Sequence, residues 1–254
     1  MKKKLDFGVF YTCYKEKESV EYSLNVLYQI YPEIPVYLVS DGGSDYTDFE
    51  EKWPTLKCTM AFDSRGFVPK IPDDNFREEY WQKLIHTSIF EFLERVKDSF
   101  EYTNKDYILV MEPDVLVRGE LSIPENAKLL GSKVNPKIKK EEQLNNYLKN
   151  NGGIEIHGYG ATPAIIERTS FFEVYDMVKN NNQIIYDLSL IDQTLANYDV
   201  LLPVLFALKG YEEEINDEIV ECLRNPHWES SGKPLVHQFR VFYPKSNYDG
   251  RHKN

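Results

Sequence analysis

The sequence predicts an α/β protein with a mostly parallel central sheet flanked by helices. Two observations indicate this class. Short apolar runs alternate with an amphipathic helical segment at the start of the chain, and another apolar run follows the longest helical pattern. Because the carboxyl ends of parallel strands meet at one sheet edge, and these runs end in polar residues, a polar site is expected there.

The first elements predict a βαβ unit. Residues 6–12 are rich in β-branched and aromatic residues, which is typical of a buried strand. Residues 19–31 have helical periodicity, and Pro32 ends that pattern. Residues 36–40 form a second apolar run, so strand, helix and strand follow one another in a parallel arrangement.

The middle of the chain predicts three more elements before a change in character. Residues 56–62 predict a short strand, residues 76–96 the clearest helix, and residues 107–111 a fully apolar strand of the buried parallel type. Residues 120–151 turn polar. They are expected to form a partly helical surface excursion.

The last part of the chain predicts helices and one strand. Residues 168–179 and 187–198 have helical patterns, and a helix pair is expected after Val200. Residues 234–243 predict a late strand.

Composition excludes several classes of protein. The formal net charge of -11 argues against a nucleic-acid surface, although a divalent cation can stand between acidic side chains and nucleotide phosphates. No apolar run approaches the roughly 20 residues that span a bilayer. The three cysteines, Cys13, Cys58 and Cys222, have no CxxC spacing, so a soluble cytoplasmic protein without a disulfide framework is expected.

The strongest local motif is YILVMEPDVLV, an apolar strand that runs into Glu112 and Asp114. In an extended segment, residues two apart point to the same side, so both carboxylates are expected to converge on one hard cation. The alternative is that these acids cap a strand and begin a turn at Pro113.

A second strand ends in the motif VYLVSDGGSD. Asp41 is a candidate acceptor for a nucleobase imide or a ribose hydroxyl, and Gly42 and Gly43 allow the backbone to approach a nucleotide closely. A simple glycine-rich turn is the alternative. The motif is neither G-x-G-x-x-G nor the GK[ST] phosphate loop.

Together these motifs resemble the nucleotide-sugar-dependent glycosyltransferases of the GT-A fold, especially bacterial and large-virus enzymes of the family-2 type. The resemblance implies a Rossmann-like fold, a nucleoside pocket and a D-x-D pair that binds Mn²⁺ or Mg²⁺. Glu112 departs from the family pattern in the first acidic position. Asp114 is therefore the stronger candidate for a metal ligand. The nucleotide-binding residues implied are Thr12, Tyr14, Asp41, Gly42, Arg65 and Glu112. For Arg65, in the loop DSRGFVP, a solvent-exposed arginine is the alternative.

Two later segments extend the resemblance. GGIEIHGYGATPAIIERTSFF is similar to the acceptor side of the site, where His157, Gly158, Tyr159 and Gly160 would face the transferred sugar; a tight turn is the alternative. SLIDQTLANY is similar to the acidic helix start that supplies the catalytic base. Asp192 is therefore the candidate base and Asp187 the second choice, whereas a helix cap is the alternative role.

A late histidine completes the expected site. In many GT-A enzymes such a residue joins the metal shell, and His237 in GKPLVHQFRVFY fits that role beside Lys233 and Arg240. His227 is the competing candidate, and a structural histidine is the alternative.

The predicted function is transfer of a sugar from a nucleotide sugar, a UDP-sugar, to a glycan or another hydroxyl acceptor. We expect one domain over residues 1–254, with a nucleotide-binding half at 1–119 and an acceptor half with a carboxyl-terminal extension at 120–254. A non-catalytic carbohydrate-binding or nucleotide-binding protein and a sugar-nucleotide pyrophosphorylase are the alternatives. The sugar, the acceptor, the oligomeric state and the choice between inversion and retention stay open.

Overall fold

The computed structural model describes residues 2–60, 78–132, 140–157, 163–191, 198–221 and 227–237. The strands are β1 (Lys2–Lys4), β2 (Phe7–Cys13), β3 (Val36–Ser40), β4 (Leu56–Met60), β5 (Tyr107–Met111), β6 (Val115–Val117), β7 (Ser122–Pro124), β8 (Leu129–Gly131), β9 (Ile165–Glu167), β10 (Glu213–Ile215), β11 (Ile219–Glu221) and β12 (Leu235–His237). The helices are α1 (Lys17–Ile30), α2 (Asp48–Lys52), α3 (Glu78–Thr103), α4 (Glu141–Asn150), α5 (Arg168–Asn180), α6 (Gln183–Ile191) and α7 (Tyr198–Leu208).

A seven-stranded sheet in the order β10-β8-β9-β5-β2-β3-β4 forms the centre of the molecule. Every neighbouring pair in it is parallel except those of β9, which is antiparallel to both β5 and β8. The predicted α/β class, the mostly parallel sheet and the βαβ opening of β2, α1 and β3 are therefore confirmed.

Both faces of this sheet are covered, which explains the uninterrupted apolar runs of its inner strands. Phe10 belongs to the core cluster on the side of α3, whereas its neighbours Val9 and Tyr11 belong to the cluster on the side of α1. All five residues of β3 and all five of β5 are buried for the same reason.

The structure corrects two predictions in the second half of the chain. Residues 120–151 are not a surface excursion throughout, because β8 is buried inside the central sheet. The helix pair expected after Val200 is also wrong, since α7 is followed by β10 and β11. A strand of three residues is too short to show an alternating pattern of apolar and polar residues. Its formation depends on the strands with which it pairs.

Helix boundaries differ from the prediction as well. Helix α3 runs to Thr103, seven residues past the predicted end, and α6 begins at Gln183 instead of residue 187. Among the described residues, no helix combines the length and the apolar character needed to cross a membrane.

Candidate active site at the carboxyl edge of the sheet

The carboxyl ends of β2, β3 and β5 are neighbours in the central sheet and bring together residues that are remote in the sequence. Tyr11 is opposite Met111 in the ladder between β2 and β5, and Cys13 is opposite Ser40 in the ladder between β2 and β3. The residues directly after these strands therefore share one sheet edge. They are Tyr14, Asp41 and Glu112, with half-buried Thr12 inside the end of β2.

Asp41 is held by an arginine that no sequence motif singled out. The Nη1 atom of Arg95, on α3, lies 2.7 Å from Oδ1 of Asp41, and only 13% and 9% of the two side chains are exposed. The signal in the sequence that could have identified Arg95 is its position on α3 among the apolar residues Phe92, Leu93 and Val96, which are buried in the core. A charge-assisted hydrogen bond in this enclosed setting fixes the orientation of the carboxylate.

The loop after β3 is locked onto the loop after β2. The N–H of Asp41 donates to the carbonyl of Cys13 at 2.8 Å, and the N–H of Ser44 donates to the carbonyl of Tyr14 at 2.6 Å. A Cβ atom at Gly43 would lie 1.9 Å from that Tyr14 oxygen, so only glycine allows this approach. Gly42 adopts a φ of 67°, in the left-handed region.

Two ionisable groups beside this loop remain neutral at ordinary pH. Burial raises the pKa of the Cys13 thiol well above its usual value, and burial also raises the pKa of Tyr46, whose hydroxyl donates to the carbonyl of Tyr14. Neither group therefore adds negative charge next to Asp41.

The acidic segment after β5 is a turn. The N–H of Val115 donates to the carbonyl of Glu112 at 2.9 Å, and Asp114 is 7% exposed. The prediction that Glu112 and Asp114 lie in an extended strand is therefore wrong. Proline fixes its own φ and donates no N–H, which favours a turn at Pro113 over a longer strand.

His237 reaches this segment through a second sheet, which has the strand order β11-β12-β6. Strand β12 is antiparallel to β6, and His237 is opposite Val115 in that ladder. This register brings Nε2 of His237 to 4.0 Å from Oδ1 of Asp114, with 12% and 10% of the side chains exposed. The structure thus joins two residues that are far apart in the sequence.

The donor atoms of Asp114 and His237 are of kinds that bind a divalent ion, and their separation of 4.0 Å is at the upper limit for two ligands of one ion. Metal bonds of about 2.1 Å place two ligands of one ion no more than roughly 4 Å apart. Within the described parts of the chain, no group of three or more His, Cys, Asp or Glu side chains is placed to hold a metal ion. Remaining positions would then fall to phosphate oxygens and water, as is usual for Mg²⁺ with nucleotides. The role of half-buried Glu112 as a ligand stays a prediction.

Other predicted site residues lie elsewhere or outside the described ranges. His157 is exposed, and its Nδ1 atom lies 3.1 Å from Oε1 of Glu141 at the start of α4. Asp187 accepts a hydrogen bond from Gln183 within α6, and His227 is exposed. The candidates that fall outside the described residues are Arg65, Gly158, Tyr159, Gly160, Asp192 and Arg240.

Comparison with known proteins supports the fold. No protein-family model and no curated protein sequence matches the chain. Among solved structures, the galactosyltransferase LgtC in complex with donor and acceptor sugar analogues matches with a TM-score of 0.53 and 12% identity over 90% of this chain and 86% of that chain. An active-site mutant of LgtC matches with the same TM-score, 11% identity and the same coverage.

A third structure, the glycosyltransferase GlyE of Streptococcus pneumoniae TIGR4, matches with a TM-score of 0.49 and 11% identity over 92% of this chain and 55% of that one. The two LgtC matches define the class of fold. The chain has a GT-A-like glycosyltransferase fold.

Proposed function

We propose that this chain is a metal-dependent glycosyltransferase that moves a sugar from a nucleotide sugar, a UDP-sugar, to a glycan or another hydroxyl acceptor. One observation carries the proposal. Asp114 and His237 converge to 4.0 Å at the edge of a GT-A-like sheet where Asp41 is also located. A pair of cation-binding side-chain types on the same sheet edge as a carboxylate that can accept from a nucleoside supports binding of a nucleotide diphosphate.

Each residue at this edge has a proposed task. Asp41 accepts a hydrogen bond from the nucleobase or ribose, and the backbone at Gly42 lies close to the nucleoside, beside Thr12 and Tyr14. The proposed cation ligands are Asp114 and His237, with Glu112 as a predicted further ligand that the described structure does not group with them. A bound Mn²⁺ or Mg²⁺ would supply Lewis-acid stabilisation of the leaving diphosphate.

The acceptor side of the reaction needs a base. We assign this role to Asp192, which would take the proton of the acceptor hydroxyl as that oxygen attacks the anomeric carbon. A base on the face opposite the leaving diphosphate gives inversion of configuration.

A thermal-shift screen tests the proposal. UDP and UDP-sugars should raise the melting temperature of the wild-type chain in the presence of manganese and have little effect with a chelator. At a ligand concentration 100 times the dissociation constant, the stabilisation is about 2.7 kcal/mol, or roughly 5 to 10 °C for a chain of this size. Donor hydrolysis measured in parallel reports turnover.

Asp114→Ala should abolish both the manganese-dependent shift and donor hydrolysis. Asp98→Ala, which removes a carboxylate from the exposed side of α3, is the matched control and should behave as the wild type. An equal UDP shift with manganese and with chelator contradicts the assigned cation site. Nucleotide binding without any turnover identifies a binding protein instead.

A further inference from the structure

A buried serine on α1 contacts the turn that carries the acidic residues. Ser19 lies in the first turn of this helix and is 2% exposed, and its hydroxyl donates to the backbone carbonyl of Pro113 at 2.7 Å. Pro113 is itself buried and stands between Glu112 and Asp114. The two ends of this hydrogen bond are 94 residues apart in the sequence.

We propose that Ser19 is a positioning residue for the cation site: its hydroxyl fixes the turn from Glu112 to Val115 and thereby the direction of the Asp114 carboxylate. The inference rests on the proposed function, since it assigns a supporting residue to the same site. Ser19 does not touch the cation and acts through the backbone of Pro113.

The geometry gives a physical reason for this role. The turn is closed on one side by the bond from the Val115 N–H to the Glu112 carbonyl, at 2.9 Å. The Pro113 carbonyl has its acceptor satisfied from the other side by Ser19, which belongs to a rigid helix packed against β6. Without the Ser19 hydroxyl, the buried carbonyl of Pro113 would lose its hydrogen-bond partner. The free-energy cost of that loss would favour rotation of the turn.

The neighbouring serine on the same helix provides a matched control. Ser23 is one turn further along α1 and is also fully buried, but its hydroxyl is 2.7 Å from the hydroxyl of Tyr11 and 3.0 Å from the carbonyl of Val20. Removing either serine hydroxyl takes away buried hydrogen bonding from the same helix. The bond made by Ser19 is the one that reaches the turn of the proposed cation ligand.

The test is titration of the purified chain with manganese alone. Binding is measured as the loss of the electron paramagnetic resonance signal of free Mn²⁺. Ser19→Ala should weaken manganese affinity about tenfold, the lower end of what loss of a ligand-supporting hydrogen bond causes. Ser23→Ala should bind manganese as the wild type does, and the melting temperatures of both variants should fall.

The outcomes separate this inference from the proposed function. If the wild-type chain binds manganese, and Ser19→Ala and Ser23→Ala bind it with equal affinity to each other, the proposed role of Ser19 is overturned. The proposed cation site is not overturned by that result. A wild-type chain that binds no manganese, either alone or in the presence of UDP, overturns the proposed cation site, and this inference with it. If the wild-type chain binds manganese only with UDP present, the variants are compared under that condition. Ser19→Cys keeps the shape of the serine side chain with a larger atom and a weaker donor and should also lose affinity, so it serves if the alanine variant folds poorly.

Discussion

The ion pair between Arg95 and Asp41 places a fixed negative group at the sheet edge. Its charged atoms are 2.7 Å apart, and both side chains are largely enclosed. Removing one member of such a pair leaves the other buried without its main partner, which costs more than loss of a surface ion pair. Arg95 is therefore expected to matter for both stability and nucleotide binding.

Arg95→Met should lower the free energy of unfolding by about 3 kcal/mol. It should also weaken UDP binding by about tenfold or more, because the Asp41 carboxylate loses its orientation. Urea denaturation and calorimetric titration with UDP measure the two effects. Arg168→Met is the control, since Arg168 donates to the carbonyl of Phe100 near the far end of α3. Loss of UDP affinity in both variants points to general disorder of α3.

Replacing the proposed base by its amide tests its role in proton transfer. Asp192→Asn should leave UDP binding intact and lower the transfer rate by about 10² to 10⁴, the usual contribution of a general base. Rate measurements at saturating donor and acceptor check this. Asp187→Asn is the comparison, and a large rate loss there with normal Asp192→Asn turnover would transfer the role to Asp187.

Loops between elements form the proposed nucleoside side of the site. The loop after β3 follows the loop after β2 so closely that a side chain at Gly43 would collide with the Tyr14 backbone. Because a backbone carbonyl cannot move aside as a flexible side chain can, one of the two loops would have to shift. The fit of these loops thus depends on a missing Cβ atom.

Gly43→Ala should lower the free energy of unfolding by about 1 to 3 kcal/mol and weaken UDP binding as well. Gly210→Ala is the control, because Gly210 has a φ of 79° and a Cβ atom added there would meet nothing within 4 Å. It should cost about 1 kcal/mol through backbone strain alone and leave UDP affinity unchanged. Unchanged UDP affinity in Gly43→Ala would separate this loop from the nucleoside site.

Short strands are the elements that depend most on their partners. Strand β12 has three described residues, and its ladder with β6 sets the position of His237. A shift of this register by one residue would turn the histidine to the other face of the sheet. The proposed cation site therefore depends on a pairing between segments that are remote in sequence.

At the scale of the whole molecule, the two predicted halves share one sheet. Ile166 of β9 is opposite Ile108 of β5 on one side and Leu129 of β8 on the other, and it is fully buried. Residues 1–119 and 120–254 thus contribute neighbouring strands, and we expect them to unfold together.

Calorimetry should show one unfolding transition with equal calorimetric and van't Hoff enthalpies. Ile166→Ala should destabilise the protein by about 3 kcal/mol and lower that single melting temperature by roughly 5 to 10 °C. Ile215→Ala makes the same change at a residue that is 59% exposed and should have little effect. Two separate transitions, with only one affected by Ile166→Ala, would show that the halves unfold independently.

The sequence by itself determined the fold class, the βαβ opening and the two motifs at the ends of β3 and β5. Long apolar runs and helical periods are local signals, and they identified β2, α1, β3 and β5 with small differences in boundaries. The acidic residues at the strand ends were identified for the same reason. They directly follow apolar runs, and such a run is recognised in the sequence without knowledge of any distant segment.

Only the tertiary structure decided which side chains meet. The Arg95 pair with Asp41 and the bond from Ser19 to Pro113 each join segments more than 50 residues apart. The approach of His237 to Asp114 also joins remote segments, and the family resemblance, not a local pattern, had placed these two residues together. The buried β8 was also not predicted, and the turn at Pro113 was only the alternative interpretation of its motif. Such contacts depend on register and packing between remote segments, and a local pattern of residues carries no record of either.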